Sequence, residues 1–230
     1  MLFHGLIKST LLDYPGKLAC TLFTGGCNFR CPFCQNSALV LNPASEPTLD
    51  SEELNAFLKK RTKYLDGVCI TGGEPLLQKN VDDFCKYLKD LGYLVKLDTN
   101  GSFPSKLENL ISHNLVDYVA MDLKSSREGY AKAVGIENLK ISLIEESVEI
   151  LKNTSVEHEF RTTLVKELHG EQEIKGIGEW LNKDQKLYLQ KFEDKGANIV
   201  QNLTGFNLNE TISIKNILKN YIDFIEIRGF

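Results

Sequence analysis

The sequence predicts an α/β fold, a partial (open) parallel β/α barrel of about six βα units. Seven short apolar runs, rich in Val, Ile, Leu, Phe or Thr, recur along the chain as buried parallel strands do. Segments with apolar residues at helical spacing lie between most of these runs. Six or seven such units are fewer than the eight that close the usual barrel. A flat doubly wound sheet is our second choice.

The predicted strands and helices alternate in chain order. The strands are 18–24, 68–71, 94–99, 118–123, 158–165, 186–190 and 221–227. The helices are 51–64, 77–91, 105–113, 141–153, 172–181 and 209–219. This alternation produces a parallel sheet with right-handed crossovers. Because no repeat, low-complexity tract or linker interrupts it, we expect one domain over residues 1–230.

Local signals mark the ends of several helices. Asp50 precedes a serine and two glutamates, a combination of N-cap and acidic first turn. Pro104 marks another helix start. Gly92 is typical of the glycine that follows a helix.

The composition is that of an ordinary globular protein, with 42% hydrophobic and 25% charged residues and a formal net charge of −4. That charge gives no electrostatic reason to expect a nucleic-acid partner, because phosphate neutralisation needs clustered Lys and Arg. No stretch approaches the roughly 20 apolar residues of a membrane span, and residues 1–10 lack a signal-peptide pattern. We therefore expect a cytoplasmic protein that binds neither membrane nor nucleic acid.

Three of the six cysteines, Cys27, Cys31 and Cys34, lie close together on the segment 25–36, just after the first predicted strand. In a reducing compartment such a group favours metal binding over disulfides. Thiolates are soft ligands that can hold an iron–sulfur cluster, whereas a structural zinc site usually needs four ligands. Three thiolates on a cubane leave the fourth iron open to a small molecule. A zinc module with a distant fourth ligand, or a fortuitous group, stays open at this point.

The residues beside the triplet suit a tight loop. Gly25 and Gly26 let the backbone turn sharply as it leaves the strand, and Pro32 stiffens the connection between the last two cysteines. The remaining cysteines are expected to be buried core residues: Cys20, Cys69 and Cys85.

Glycines and an acidic residue follow the second predicted strand, at the edge where α/β folds bind ligands. Gly72 and Gly73 allow the backbone to approach a ligand closely, and Glu74 adds an acceptor suited to an ammonium group. An ordinary βα turn is the alternative.

Charged and polar residues end the next strands. Asp98 and Asn100 lie at the end of the third strand, and Asp122 and Lys124 lie at the end of the fourth. For Asp98 and Asn100, capping of the next helix is the alternative. Arg161 lies on the fifth strand. An arginine that faces a barrel interior is unfavourable unless an anion pairs with it, which favours a ligand-binding role.

The spacing Cys-x3-Cys-x2-Cys, with the aromatic Phe33 before the last cysteine, resembles the signature of the radical S-adenosylmethionine (SAM) superfamily. The run from Gly72 to Pro75 resembles the family's GGEP motif, which contacts the amino group of SAM. The resemblance implies a [4Fe–4S] cluster on the three cysteines and SAM on the fourth iron. The reduced cluster would cleave SAM to methionine and a 5′-deoxyadenosyl radical.

The strand ends also resemble those of glycyl-radical-enzyme activases, which carry similar DTNG and DLK segments. By that resemblance Asp98 and Asn100 are expected to face the ribose or a nearby cation. Asp122 and Lys124 are expected at the methionine end of SAM, and Arg161 matches a family arginine near the SAM carboxylate.

Residues 5–17 and 25–36 are similar to the anaerobic ribonucleoside-triphosphate reductase activating proteins. The stretches 160–163 and 188–192 extend that similarity, which is thinner after residue 169. The resemblance implies an activase: a reduced flavodoxin or ferredoxin supplies one electron, and the deoxyadenosyl radical takes a hydrogen atom from a backbone glycine of the partner reductase.

Three alternatives stay open. They are an activase of another glycyl-radical enzyme such as pyruvate formate-lyase, a radical SAM enzyme that acts on a small molecule such as a deazapurine precursor, and a zinc-stabilised binding module without catalysis. The segment 193–208 fits no motif, and we expect it to shape the partner site.

Overall fold

A computed structural model describes all 230 residues and contains one eight-stranded sheet. The strands are β1 (Phe3–Thr10), β2 (Ala19–Thr24), β3 (Gly67–Gly72), β4 (Leu94–Thr99), β5 (Tyr118–Asp122), β6 (Glu157–Leu164), β7 (Lys186–Lys191) and β8 (Phe224–Arg228). The helices are α1 (Ser37–Leu41), α2 (Ser51–Arg61), α3 (Val81–Asp90), α4 (Pro104–Ser112), α5 (Tyr130–Val134), α6 (Ile141–Lys152), α7 (Glu171–Trp180) and α8 (Leu208–Leu218).

The order of the strands in the sheet is the order of the strands in the chain. Strands β2 to β8 are parallel, and β1 pairs antiparallel with β2. Successive right-handed crossovers in one direction place the helices on one face, whereas a doubly wound sheet reverses its order at a switch point. Because β8 does not pair with β1, the predicted partial barrel is confirmed, with six helical crossovers.

Strand β1 and the short helices α1 and α5 are not predicted from the sequence. Strand β1 is an edge strand whose residues are mostly half-buried or exposed, so it has no continuous apolar run. The last strand begins at Phe224 rather than at residue 221. The backbone N–H of Ile222 donates to the Leu218 carbonyl oxygen, so this buried residue belongs to the turn after α8.

The predicted helix-end signals are confirmed. The Asp50 side chain accepts hydrogen bonds from the backbone N–H groups of Glu52 and Glu53, both at 2.9 Å. Gly92 follows α3 with a φ of 89°, a left-handed conformation that glycine adopts without steric cost.

The main core of 44 buried residues joins the outer face of the sheet to the helices. Cys20 and Cys85 lie in it as predicted, whereas Cys69 is fully buried but lies outside this cluster. All six cysteines are free. None of the helices has the length and apolar character that crossing a membrane requires.

Candidate active site

A cavity of about 300 Å³ opens at the carboxyl ends of the parallel strands. All twelve site residues predicted from the sequence line it: Cys27, Cys31, Phe33, Cys34, Gly72, Gly73, Glu74, Asp98, Asn100, Asp122, Lys124 and Arg161. The sequence did not single out Thr163, Gln190 and Lys191, which also line it. The rule that ligands bind at the carboxyl ends of strands would have found them, because they end β6 and β7.

The three clustered cysteines lie on the loop between β2 and α1, with Cys31 buried and the other two half-buried. Burial raises the pKa of Cys27 to about 11 and that of Cys31 to about 12, so metal binding must displace their protons. No group of three His, Cys, Asp or Glu side chains converges on a point that would suit a single metal ion. A cubane needs no such convergence, because each cysteine binds a different iron.

The cysteine loop is hydrogen-bonded to the glycine turn after β3. The Gly73 N–H donates to the Thr24 carbonyl oxygen at 2.8 Å, and the Glu74 N–H donates to that of Gly26 at 2.8 Å. A Cβ atom on Gly73 would collide with Gly26, and Gly72 has a φ of 112°. The two glycines therefore allow two loops to pack closely, rather than only the approach of a ligand that the sequence suggested.

Glu74 is only 1% exposed, and three protein donors engage its carboxylate. These are the Leu76 N–H at 2.9 Å, the Thr99 hydroxyl at 2.8 Å and the Asn100 N–H at 2.7 Å. Burial raises the pKa of Glu74 to about 7, although these hydrogen bonds oppose the shift. Its carboxylate therefore joins the β3 and β4 ends, and of its about four acceptor positions these donors leave one for the ammonium group expected from the sequence.

Five charged side chains form a buried network across the ends of β4, β5 and β6. Arg161 donates from Nε to Asp122 at 2.8 Å and from Nη1 to Asp98 at 3.2 Å. Lys124 Nζ lies 2.9 Å from the Asp122 carboxylate, and Lys96 pairs with Asp98. The anions that Arg161 requires are therefore supplied by the protein itself.

Burial alone would raise the pKa of both carboxyl groups, but the adjacent cations outweigh it. Arg161 and Lys124 lower the pKa of Asp122 to about 2, and Arg161 with Lys96 lowers that of Asp98. Three cations and two carboxylates leave one net positive charge, which suits an anionic group of a ligand.

Two further predicted residues contact the cysteine loop. Asn100 hydrogen-bonds to Asn28 and Ser102, so its amide is not free to face a ribose or a cation as expected. Phe33 is buried, and Lys124 Nζ lies 5.6 Å from its ring centroid.

The segment 193–206 packs against the cysteine loop. The Val200 N–H donates to the Pro32 carbonyl oxygen at 3.0 Å, and Gln35 donates to that of Glu193 at 3.4 Å. A bridge between Val165 and Gly205 attaches its far end to the sheet. The two contacts with the cysteine loop join residues about 160 positions apart, so no local pattern predicts them.

The sequence profile of the radical SAM superfamily matches residues 21–177. This chain belongs to that superfamily. It is therefore an enzyme, and the superfamily's [4Fe–4S] cluster and SAM are its cofactors. The cavity fits them, because it presents three soft thiol donors beside a network with one net positive charge.

Two relatives of this radical SAM enzyme differ in how much of the chain they match. A protein of Methanocaldococcus jannaschii with the provisional name glycyl-radical enzyme activating enzyme is 35% identical over 235 residues. That match covers 99% of this chain and 95% of the relative. The 7-carboxy-7-deazaguanine synthase of Hyperthermus butylicus is 38% identical over 93 residues, which are 40% of this chain and 38% of the relative.

Among solved structures, Streptococcus suis SuiB bound to its precursor peptide SuiA matches this radical SAM fold with a TM-score of 0.68. The match covers 91% of this chain but 48% of SuiB, so the chain spans about half the length of that protein. At 14% identity the likeness shows the fold alone.

Proposed function

We propose that this radical SAM enzyme is an activase that installs a glycyl radical on an anaerobic ribonucleoside-triphosphate reductase. Its activity as a glycyl-radical activase is supported by the relative whose provisional name states that activity and which matches 99% of the chain. The reductase as the specific partner is supported by the resemblance of residues 5–17 and 25–36 to that group of activases.

We propose that Cys27, Cys31 and Cys34 bind the cluster. When bound, the cluster and SAM supply a deoxyadenosyl radical that takes a hydrogen atom from a glycine of the partner. The network of Lys96, Asp98, Asp122, Lys124 and Arg161 holds the SAM carboxylate through its net positive charge. The remaining residues proposed to line the SAM site are Phe33, Gly72, Gly73, Glu74 and Asn100.

The open architecture supports a macromolecular substrate. Strands β1 and β8 do not pair, so the barrel has a lateral opening. A protein loop needs such access, whereas a small molecule does not. Residues 1–230 are proposed to act as a single domain, with a reduced flavodoxin or ferredoxin as electron donor, and the segment 193–208 is proposed to border the partner site.

Electron paramagnetic resonance tests this function. The reconstituted protein, SAM and a reductant are mixed anaerobically with the reductase of the same organism. We expect a glycyl-radical doublet on the reductase that is absent when this protein is left out. If SAM is cleaved without a doublet, the reductase is not the partner, and pyruvate formate-lyase is the next partner to try.

Replacement of Cys27, Cys31 or Cys34 by Ala is predicted to abolish cluster binding and SAM cleavage, because each thiolate holds a different iron. Iron and sulfide analysis and the release of 5′-deoxyadenosine measure the two effects. Cys85→Ala is the matched control, since Cys85 lies in the core on α3 and should leave both unchanged. Cleavage that survives in all three loop variants contradicts the assignment.

A small-molecule reaction is favoured by one observation, the partial identity to the deazaguanine synthase of Hyperthermus butylicus. That reaction predicts many turnovers on a free substrate, whereas an activase installs one radical per partner site. The ratio of 5′-deoxyadenosine to glycyl radical therefore separates the two functions.

A further inference from the structure

The sulfur atom of Cys27 accepts two hydrogen bonds. The Phe29 N–H lies 3.4 Å from Sγ, and the side-chain amide nitrogen of Asn100 lies 3.7 Å from it. No other side chain donates to a sulfur of the cysteine triplet, so Cys27 differs from Cys31 and Cys34 in this respect.

The orientation of the Asn100 amide follows from its other neighbours. Its oxygen accepts from the backbone N–H of Ser102 at 2.9 Å and from the hydroxyl of the same residue. A backbone N–H can only donate, so the oxygen must face Ser102 and the NH₂ group must face the other way. That group has two hydrogens, one for Asn28 Oδ1 at 3.0 Å and one for Cys27.

Asn28, Asn100 and Ser102 form a closed ring of hydrogen bonds, because Asn28 also donates to the Ser102 hydroxyl at 2.9 Å. Asn100 and Ser102 are 6% and 7% exposed, so water competes little for these bonds. The backbone is held as well: the Asn100 N–H donates to Glu74 at 2.7 Å. The donor is thus positioned before any cofactor binds.

We propose that Asn100 is a positioning residue that, oriented by Asn28 and Ser102, raises the reduction potential of the cluster through its hydrogen bond to Cys27. This inference rests on the proposed attachment of the cluster to the cysteine triplet. Reduction adds one electron from the donor protein and no proton, so negative charge on the ligand sulfurs increases. An N–H that points at sulfur stabilises that added charge, and hydrogen bonds to sulfur are one determinant of iron–sulfur potentials.

The test is a potentiometric titration of the reconstituted protein without SAM, followed by electron paramagnetic resonance. Asn100→Leu removes the donor, and we expect the ratio of oxidised to reduced cluster at the wild-type midpoint to rise about tenfold, or about 59 mV for one electron. Asn100→Asp keeps the shape of the side chain and its contacts with Ser102 but directs an oxygen at the sulfur. We therefore expect the midpoint potential to decrease more in this variant than in Asn100→Leu. The aspartate variant also covers the case in which the leucine variant fails to fold.

Thr163→Val is the matched control, because Thr163 lines the same cavity but hydrogen-bonds to Gln190 and not to a cysteine. Its midpoint should equal that of the wild type. Midpoints of both Asn100 variants at the wild-type value, even with a lower cluster content, would overturn the inference, because a merely structural residue alters content and not potential. If the wild-type protein itself binds no iron and sulfide, the proposed function fails instead.

Discussion

The two faces of β6 are held in place by different interactions. On the outer face Phe160 and Leu164 belong to the main apolar core and are at most 1% exposed. On the inner face the buried carboxylate of Glu159 pairs with both terminal nitrogens of Arg228, at 2.8 and 2.9 Å, and Arg161 pairs with two aspartates. Apolar burial is not directional, whereas a buried charge is tolerated only where its partners meet it. Sites of chemistry therefore lie on the inner face.

The substitution with the largest expected effect on stability disrupts the apolar packing of the outer face. Phe160→Ala should lower the free energy of unfolding by about 3–5 kcal/mol, because it removes a large apolar side chain and leaves a cavity. Urea unfolding between pH 3 and pH 7 measures this loss, which should not depend on pH. Phe160→Leu is the control and should cost less, since it retains more of the volume.

Arg161→Leu removes the ion pairs of the inner face. We expect it to lower the free energy of unfolding by about 3 kcal/mol at pH 7, because two buried carboxylates lose a shared cation. This loss should become smaller as the pH is lowered. In the wild type the pKa of Asp122, about 2, lies below its unfolded value, so stability decreases from about pH 4 downward. The variant lacks most of that contribution, so the two unfolding curves should approach each other near pH 3. A loss that is constant with pH, as for Phe160→Ala, would contradict the contrast between the faces.

The smallest expected effect on stability concerns His169, which is 2% exposed and connects the segments that follow β5 and β6. Its Nδ1 accepts from the Val165 N–H at 3.0 Å and its Nε2 donates to the Lys124 carbonyl oxygen at 2.9 Å, an arrangement that needs the neutral ring. Burial lowers the pKa of His169, although its contacts with the carbonyl oxygens of Lys124 and Val165 oppose the shift. Its contribution to stability is therefore present above about pH 6.5 and is lost as the pH falls through the lowered pKa.

Comparing the unfolding of the wild type with that of His169→Gln between pH 7 and pH 5 tests this. Stability of the wild type should fall over this range, and stability of the variant should fall less. Equal slopes would mean that His169 does not titrate with unfolding.

The outer face of the sheet was predictable because its signal is local. Four to eight consecutive apolar residues predict a buried parallel strand, and the Asp50 cap and Gly92 mark helix ends within one turn. Strand β1 escaped prediction because an antiparallel edge strand buries too few of its side chains to form such a run. The site residues at the strand ends were predicted because parallel strands of one sheet end at one edge, so residues distant in the chain meet there. The three cysteines and Phe33 were predicted from their spacing and its resemblance to a family signature.

The sequence by itself determined the type of fold, the cysteine triplet and the membership of the radical SAM superfamily, since each depends on residue type and spacing. Only the tertiary structure decided which partner each polar side chain takes. Arg161 binds two aspartates of the protein, Glu74 is engaged by three donors, and Asn100 donates to Cys27. The physical reason is that hydrogen bonds and buried ion pairs depend on distance and direction between atoms, which sequence spacing does not specify.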